Sequence, residues 1–429
     1  MVDSRTEAPE SLARLRDAGP EAGPGSSDLR RFYPTSVLVT DRNILYLWVA
    51  RMIMMGIDCM QEIPFHEVYI YATVLTEDGR RMSKSLGTGV DPIQVIDTIG
   101  ADPLRYTLLS QTGYNQDIRY SERKTEEARN FCNKIWNAVR FTLLNVEGVP
   151  KKPAQFHPTD TWLLSRLHAT EKIVRQSFDR YDVQEATQAL HRFFWAELCD
   201  WYIEVSKKRL ADPATREGTQ WVLLTCIEAF VKMMHPIMPH ITEEVYSHLP
   251  LTDKAPFLMA SEWPAIPAEY HQPATEASVE RIFTMTRGLR ALRAELDLTP
   301  GKPVSMAYYE GDLAGGADIV SSQAWVEHLL PGKPTASKYI SSSVEGVDLH
   351  LPIEGLVDAE KEIARLTKEK EKTLQELVKA RVRFSNPEFV ERAKPEVVER
   401  ERNNIELLQA KLAKIAERTR LFEEGATPQ

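Results

Sequence analysis

The sequence predicts a mainly α protein that opens on a short α/β segment and closes on a helical hairpin, and three observations predict it. One strand, helix, strand succession occupies residues 36 to 76. Helical periodicity fills the span from Ser121 to Leu249, and heptads run through the C-terminal stretch from Leu356. At about 150 residues per domain, 429 residues leave room for roughly three domains. A net charge of -9, with 43% hydrophobic and 27% charged residues, excludes both a disordered chain and a diffuse polycation. A polyanionic partner would therefore have to meet a local basic patch.

Residues 1–30 are rich in Pro, Gly, Ser and acidic residues without apolar periodicity, the composition of a disordered tail. Val37-Leu38-Val39 is a β-branched run suited to a buried parallel strand. Ile44 to Ile57 is apolar on nearly every face, suited to a buried helix ended by Gly56, and Glu67 to Leu75 is a second strand. Together they make one βαβ crossover. Doubly wound sheets need more strands than this, so 31–120 reads as a partial Rossmann-like segment.

From Ser121 the apolar residues Phe131, Ile135, Trp136, Val139 and Leu143 recur at helical spacing, as do Leu163, Leu164, Leu167 and Ile173, with further runs at Ala186 to Leu210 and Gln220 to Leu249. Breaks at Val149-Pro150-Lys151-Lys152-Pro153 and Ala211-Asp212-Pro213 make an antiparallel helical bundle over 121–265 the simplest packing. A small α+β segment, 266–355, holds a helix from Glu276 to Leu296 and short β runs such as Pro303 to Tyr309. In 356–424, Leu356, Ile363, Lys370, Leu377 and Phe384 lie seven apart with Ala359, Leu366, Thr373 and Ala380 between them. A second seam runs through Val398, Ile405, Leu412 and Thr419 with Glu401, Leu408, Ile415 and Phe422. Asn386-Pro387 and Lys394-Pro395 break the helix between them, so a coiled-coil hairpin is expected. Its 16 basic and 15 acidic residues from Asp358 to Glu424 are equally consistent with a solvated spacer.

Ile44 to Met60 and Trp221 to Met234 are interrupted by Arg51 and Glu228 and fall short of the roughly 20 apolar residues of a spanning helix, so no membrane insertion is expected. The acidic start lacks a signal-like apolar core, which makes a cytoplasmic location the expectation. Cys59, Cys132, Cys199 and Cys226 are far apart and read as reduced core thiols, not a zinc site. His235 and His240 have the spacing of a metal pair, but Pro236 and Pro239 spoil the helical register, so no structural metal is expected.

The densest chemical signal is Glu77-Asp78-Gly79-Arg80-Arg81-Met82-Ser83-Lys84-Ser85-Leu86-Gly87-Thr88-Gly89, directly after a predicted strand. Glycines permit close backbone approach, serines offer hydroxyls, and Arg80, Arg81 and Lys84 bring positive charge to a loop. That set suits a polyphosphate whose transition-state charge a closing loop would stabilise, although a solvated turn has the same composition. The Walker spacing is absent, so this is not a P-loop.

Arg81-Met82-Ser83-Lys84-Ser85 resembles the Lys-Met-Ser-Lys-Ser signature of class I aminoacyl-tRNA synthetases, with Arg for the first Lys. Phe32 to Thr40, Trp48 to Gly56, Gly100-Ala101-Asp102-Pro103-Leu104-Arg105-Tyr106, Asn133 to Asn137, His235 to Glu244 and the heptad hairpin are similar, in order and spacing, to the C-terminal portion of valyl-tRNA synthetases. The resemblance covers residue 28 to the C terminus. It implies a valine-tRNA ligase: ATP, with Mg2+, activates valine to valyl-adenylate, and the valyl group passes to tRNA(Val). A noncatalytic tRNA-binding protein derived from a synthetase is the alternative. Isoleucyl enzymes resemble this fold but commonly carry a cysteine-bound zinc module, and leucyl enzymes lack the hairpin.

Carried over by position, Lys84 contacts the ATP phosphates, Ser83 and Ser85 support the loop, Arg81 is its outer cation, and Met82 belongs to the ATP loop. Trp48 walls the valine pocket or is a plain core residue, and Asp41 lies near that pocket. The bundle would bind the anticodon, with Arg119, Arg123, Lys124 and Arg129 on a stem-contact segment. Lys207, Lys208 and Arg209 would hold a tRNA phosphate or compensate a helix dipole, and the hairpin would be a tRNA arm. The family's His-X-Gly-His string does not occur in this chain. Tyr71-Ala72 stand where His-Gly is usual, and Thr88 where Asn is common. A partner supplying an N-terminal synthetase half is therefore expected for activity, and the editing domain would lie with it.

Overall fold

The computed structural model describes residues 28–424 apart from 30, 84–86, 114–116, 336–337, 354–355, 357–358 and 386–394. The expected N-terminal tail and the proline break between the heptad helices fall mostly outside these. The chain is mainly α with small sheets, and it divides into two compact units. The first comprises 1–155, 163–201 and 210–271, and the second 156–162, 202–209 and 272–429.

The first unit opens on β1 (Thr35–Thr40), a 3-10 turn Arg42–Ile44, a π turn Leu45–Val49 and α1 (Ala50–Met60), followed by β2 (Phe65–Ile70). β1 and β2 are parallel neighbours, Val37 opposite Glu67 and Thr40 opposite Ile70, so the predicted crossover forms. Three details differ from expectation. The strand is not buried: Val39 is 54% exposed. Gly56 does not end the helix, which runs to Met60 and stops at Gln61 with φ +58. A Cβ on Gly56 would lie 2.6 Å from the Tyr33 hydroxyl and 3.0 Å from Pro64, so close packing, not termination, requires the glycine there. The second strand is also split, since Tyr71 to Thr73 separate β2 from β3 (Val74–Leu75).

Helical turns run continuously from Arg42 to Met60, with mean hydropathy 1.3 over the most apolar part. Length and composition alone would let this stretch cross a membrane, contrary to the shorter run expected. Its apolarity also fits its place beside a parallel strand pair, whose crossover helices normally face a sheet.

α2 (Pro92–Thr98) and α3 (Ala101–Leu109) follow, then β4 (Ile118–Arg119), which pairs parallel to β3. Asp91 caps α2 by accepting from the Ile93 amide at 2.9 Å, with Pro92 at the first turn.

The bundle begins with α4 (Glu122–Leu144), whose Thr125, Ala128, Phe131, Ile135, Ala138, Val139 and Thr142 form the buried stripe. Trp136, expected on that stripe, is 41% exposed and meets the His248 ring edge-on at 6.1 Å. α5 (Pro158–Asp179) precedes a long helix built of α6 (Val183–Arg192), a π segment Phe193–Ile203 and α7 (Glu204–Ala211). Asp182 caps α6 through the Glu185 amide at 3.1 Å. In the π segment Phe193, Phe194, Leu198, Tyr202 and Ile203 are all buried. α8 (Pro213–Met234), capped by Asp212, is buried on nearly every side, as a central bundle helix must be. It stops before Pro236, and α9 (Pro239–His248) restarts, so the predicted run from Gln220 to Leu249 is two helices.

Phe131 packs on Tyr106, His191, Phe194 and Trp195, with the His191 and Trp195 rings stacked at 5.5 Å. Burial lowers the His191 pKa below its ordinary 6.5. The unfolded chain therefore binds the proton more readily, so His191 stabilises the fold fully above that ordinary value and progressively less as pH falls below it. Melting temperature is expected to fall between pH 7.5 and 5.5, and His191→Gln to shrink that fall. An unchanged pH dependence in the variant would contradict it. Burial shifts His157 and His235 the same way, so one substitution removes part of the effect.

Of the four cysteines only Cys199 and Cys226 are fully buried; Cys59 and Cys132 are half-buried. Burial pushes the Cys132 and Cys199 thiols up to about 12, which keeps them protonated and unreactive at neutral pH.

In the second unit, α10 (Pro273–Glu295) and α11 (Ala317–Gln323) accompany β5 (Val304–Glu310), β6 (Val326–Pro331), β7 (Tyr339–Val344) and β8 (Val347–Pro352). The sheet order is β6-β5-β8-β7, with β5 and β6 parallel and the other pairs antiparallel. Gly288 lets α10 approach the sheet, since a Cβ there would sit 2.8 Å from Val344. Arg293, 2% exposed, donates to the carbonyls of Lys302 at 2.5 Å and Trp325 at 3.2 Å, tying the loop after α10 to the sheet. α12 (Ala359–Phe384) and α13 (Pro395–Glu424) pack on one another through Leu366, Thr373, Leu377, Ala380, Ile415 and Phe422, the predicted seams. Lys370, placed in a seam by the heptad count, is exposed, while Lys411 reaches Glu369 across the pair at 3.0 Å.

Candidate functional site

Parallel strands present their ligands beyond their carboxyl ends, and the chain's chemistry gathers there. β1 ends at Thr40, and Asp41 then caps the following turn, accepting from the Asn43 amide at 2.7 Å and its side chain at 2.5 Å. The second Asp41 oxygen accepts from the Thr73 hydroxyl at 3.4 Å. The Asn43 backbone hydrogen bond holds the Asp41 carboxyl below its ordinary value, helped by the Arg81 charge. Two residues singled out separately in the sequence, Asp41 and Arg81, are thus electrostatic neighbours. Asp117, missed in the sequence because no motif marks it, accepts from Arg42 and from the Thr73 amide, at 3.3 Å for the latter. It joins the turn after β1 to the strand that leads into the signature loop.

That loop is set up by a tight turn. The Thr76 amide donates to the Arg80 carbonyl at 2.8 Å, Gly79 adopts φ +84 beside the Arg119 guanidinium, and Leu75 bridges antiparallel to Arg81. Arg81 is exposed. Met82 packs against Val95, Leu104 and Tyr120, so its side chain anchors the loop in the α2 and α3 cluster. Ser83 and Thr88 clasp the loop's base: the Ser83 amide donates to the Thr88 hydroxyl at 3.0 Å and the Thr88 amide to the Ser83 carbonyl at 3.1 Å. The Thr88 departure from the family pattern therefore supplies a closing hydrogen bond. Lys84 and Ser85 lie outside the described residues.

Trp48, on the π turn, is 40% exposed. Beyond the end of β2 lies a cavity of about 420 Å³ lined by Arg42, Tyr69, Tyr71, Arg180 and Tyr181 among others. Tyr69 and Tyr181 rings stand 5.7 Å apart, and Tyr181 holds φ +60, rare for so bulky a residue. A hydrogen bond with Glu67 raises the Tyr181 pKa. The cavity is large enough for one small ligand, and its aromatic walls suit a planar one, while Arg42 and Arg180 are paired with Asp117 and Glu185. Tyr69, Arg180 and Tyr181 belong to distant parts of the sequence with no motif to join them.

Among the cations expected to meet RNA, Arg119, Arg123 and Lys124 are exposed beside the signature turn. Arg123 faces Glu127 at 3.4 Å and Lys124 donates to Gln111 at 2.5 Å. Lys207 pairs with Glu204 at 2.7 Å, and Lys208 is exposed. Arg209 must be reassigned. Its guanidinium grips buried Asp160 bidentately at 2.5 and 2.6 Å, and Tyr202 adds a hydroxyl to the same carboxylate at 2.6 Å. Burial alone would lower the Arg209 pKa, but these partners outweigh it and raise it. The guanidinium is thereby committed to the fold and not offered to a phosphate.

Two sequence motifs prove to be one joint. Asp102 of α3 accepts from the His240 and Ile241 amides at 3.2 and 2.6 Å, capping α9. Arg105, one turn on, donates to the carbonyls of Pro236 and Ile237 at 2.9 and 3.0 Å. His235 donates to or accepts from the Thr242 hydroxyl at 2.8 Å and takes part in the same break. Among the described residues no group of three or more His, Cys, Asp or Glu is arranged to hold a metal ion.

Residues 20–121 match the family model described as tRNA synthetases class I (I, L, M and V), residues 160–308 the anticodon-binding domain of tRNA ligase, and residues 358–421 the valyl tRNA synthetase tRNA binding arm. The valine-tRNA ligase of Carboxydothermus hydrogenoformans is 38% identical over 391 residues, 89% of this chain and 44% of that one. The chain belongs to the valyl-tRNA synthetase family. The family's ligases from Oceanobacillus iheyensis and Thermotoga maritima are 36% and 37% identical over 93% and 91% of this chain, and 46% and 45% of their own length. The chain thus spans less than half the length of these relatives. Within it the class I match contains Asp41, Arg81 and Asp117, and the arm match contains Leu366, Thr373, Leu377, Ala380 and Ile415 of the α12 and α13 seams.

Proposed function

We propose that the chain works in valine-tRNA ligation, contributing the ATP signature loop, the anticodon-binding bundle and the tRNA arm. One observation carries the reading. A class I signature loop, clasped by Ser83 and Thr88 at the ends of parallel strands and beside the Asp41 carboxylate, stands in a chain that continues into an anticodon-binding match and ends in a valyl-specific one.

In the proposed reaction the valine carboxylate attacks the ATP α-phosphorus and pyrophosphate leaves. The valyl group then passes from the adenylate to the 3′ end of tRNA(Val). Lys84 and Arg81 stabilise the growing phosphate charge, Ser83 and Ser85 support the loop, and Met82 anchors it. Mg2+ enters as the ATP complex. Asp41 and Trp48 border the valine side, and Arg119, Arg123, Lys124, Lys207 and Lys208 meet tRNA phosphates. By this reading 31–120 is the C-terminal part of a catalytic domain, 121–265 the anticodon-binding bundle, 266–355 a linking segment and 356–424 the arm, in a cytoplasmic enzyme. ATP phosphate contacts of the His-X-Gly-His kind come from sequence this chain does not contain.

The test measures two things with the purified chain. tRNA(Val) binding should be present and weaken with salt, and valine-dependent ATP-pyrophosphate exchange should be absent until the N-terminal portion of a valyl-tRNA synthetase is added. A tRNA-binding protein without catalysis is the second reading. It predicts binding with no exchange under either condition.

A further inference from the structure

The four-stranded sheet of the second unit carries, on the face away from α10, a row of side chains that the ligase reading does not use. Leu330 of β6 stands opposite Tyr308 of β5, Tyr308 opposite His350 of β8, and His350 opposite Ser341 of β7, so all four project from one face. α10 covers the other face, where Gly288 approaches Val344 and Leu349. The row's own face is more open, with Met306 44% exposed and Leu330 39%. His350 is nevertheless only 3% exposed, and both of its ring nitrogens are engaged. Nδ1 lies 2.7 Å from the Ser341 hydroxyl and Nε2 3.4 Å from a Glu310 carboxylate oxygen, while the Tyr339 ring meets the imidazole edge-on at 5.5 Å. Glu310, Ser341 and His350 all lie between residues 308 and 358, where the anticodon-binding match ends and the arm match begins.

Those partners assign the tautomer of the neutral ring. A carboxylate only accepts, so Nε2 carries the proton and donates to Glu310, which leaves Nδ1 as an acceptor and makes the Ser341 hydroxyl its donor. Carboxylate, imidazole and hydroxyl in that succession form the relay that activates a serine, and such a relay is recognised by geometry, not by order along the chain. We propose that Ser341 is the nucleophile, His350 the general base and Glu310 its positioning residue in a hydrolytic site for carboxylic esters. Ser341 Oγ bonds to the carbonyl carbon while its proton passes to Nδ1; the ester C–O bond then breaks, and the departing alcohol takes that proton. Water next attacks the acyl-serine, Nδ1 relays the water proton to Oγ, and the acid leaves, so ester and water become acid and alcohol. Glu310 stays ionised throughout and stabilises the transient imidazolium, with Lys333 3.4 Å from the same carboxylate oxygen. At 3.4 Å the contact from His350 to Glu310 is long, as such bonds are before a substrate closes the site. Among the described residues β7 pairs only with β8, and an edge strand keeps alternate amides out of the ladder, donors of the kind a developing oxyanion needs. Met306 and Leu330 give the face an apolar floor that suits a short aliphatic acyl group.

The experiment uses the full chain, with p-nitrophenyl acetate and p-nitrophenyl butyrate as esters and a fluorophosphonate as the serine probe. Hydrolysis faster than that by an equal concentration of free imidazole is expected, with the probe found on Ser341 by peptide mapping. Ser341→Ala removes a half-buried hydroxyl and no charge; it should abolish labelling and lower kcat/KM about 100-fold or more. His350→Gln should do the same. In Glu310→Gln the new amide can donate to Nε2, which puts the ring proton on Nδ1 where the serine needs an acceptor. Its kcat should fall about 100-fold with KM little changed, a split that a merely structural contact would not produce. Unchanged circular dichroism shows that each variant has folded, and Ser341→Ala keeps the test readable if His350→Gln does not fold. Hydrolysis no faster than that by imidazole, a label on another residue, or a Ser341→Ala chain as active as wild type would each overturn the proposal and leave the three side chains a hydrogen-bonded strut of the sheet. Neither result bears on valine-tRNA ligation, which does not use these residues.

Discussion

Lys84→Ala is expected to lower valine-dependent ATP-pyrophosphate exchange in the reconstituted complex by about 100- to 1,000-fold, the usual loss when one preorganised donor to a developing oxyanion is removed. Its tRNA affinity should stay near wild type, because the cations proposed to meet RNA lie elsewhere. The base of the loop supports this separation. Ser83 and Thr88 close it with backbone and hydroxyl hydrogen bonds, and Met82 roots it in the cluster of Val95, Leu104 and Tyr120, so neither anchor depends on the lysine. The deficit should fall on the rate of the chemical step more than on the KM for valine, since the lysine's charge matters most as the phosphate charge grows. Exchange within a few-fold of wild type would remove Lys84 from the mechanism.

Asp160→Ala should cost about 3–5 kcal/mol of stability, the range for stripping one partner from a buried ion pair. The Asp160 side chain is 2% exposed and that of Arg209 14%. Without the carboxylate, the guanidinium and the Tyr202 hydroxyl lose the charged acceptor that they share. Tyr202→Phe, which removes one neutral donor and leaves the ion pair, should cost only about 1 kcal/mol. Replacing both charged partners, Asp160→Ala with Arg209→Met, should recover part of the loss, because no unpaired charge remains. Urea unfolding followed by fluorescence gives these numbers, with the two compact units fitted as separate transitions if they do not unfold together. A single Asp160→Ala loss below 1 kcal/mol would show that water reaches the guanidinium and solvates it.

Periodicity made the helices and heptad seams legible in the sequence, because a buried stripe repeats every three or four residues wherever a helix lies on a core. It misplaced Trp136 and Lys370, which keep the spacing but not the side, since a period fixes a face only to within one residue. The π segment at Phe193–Ile203 was invisible for the same reason: its turn is wider than any template applied to it. The signature loop was legible because its chemistry is local. Asp117, Tyr69 and Tyr181 were not, for they acquire meaning only when strands and bundle turns from distant sequence meet. Arg209 shows the converse error. A basic triplet suggests an anion from outside, but a carboxylate 49 positions away had already claimed the guanidinium.

The joint between α3 and the break before α9 also bears on tolerance to mutation. All four of its hydrogen bonds end on backbone amides or carbonyls of 236, 237, 240 and 241. Side-chain drift at those four positions leaves the stitch unaltered, whereas Asp102 and Arg105 have no freedom to change. Mobility is divided by the same feature. Since α3 cannot turn against α9 without breaking the stitch, the cluster that holds Val74 and Met82 is tied through α3 to the helix break before α9.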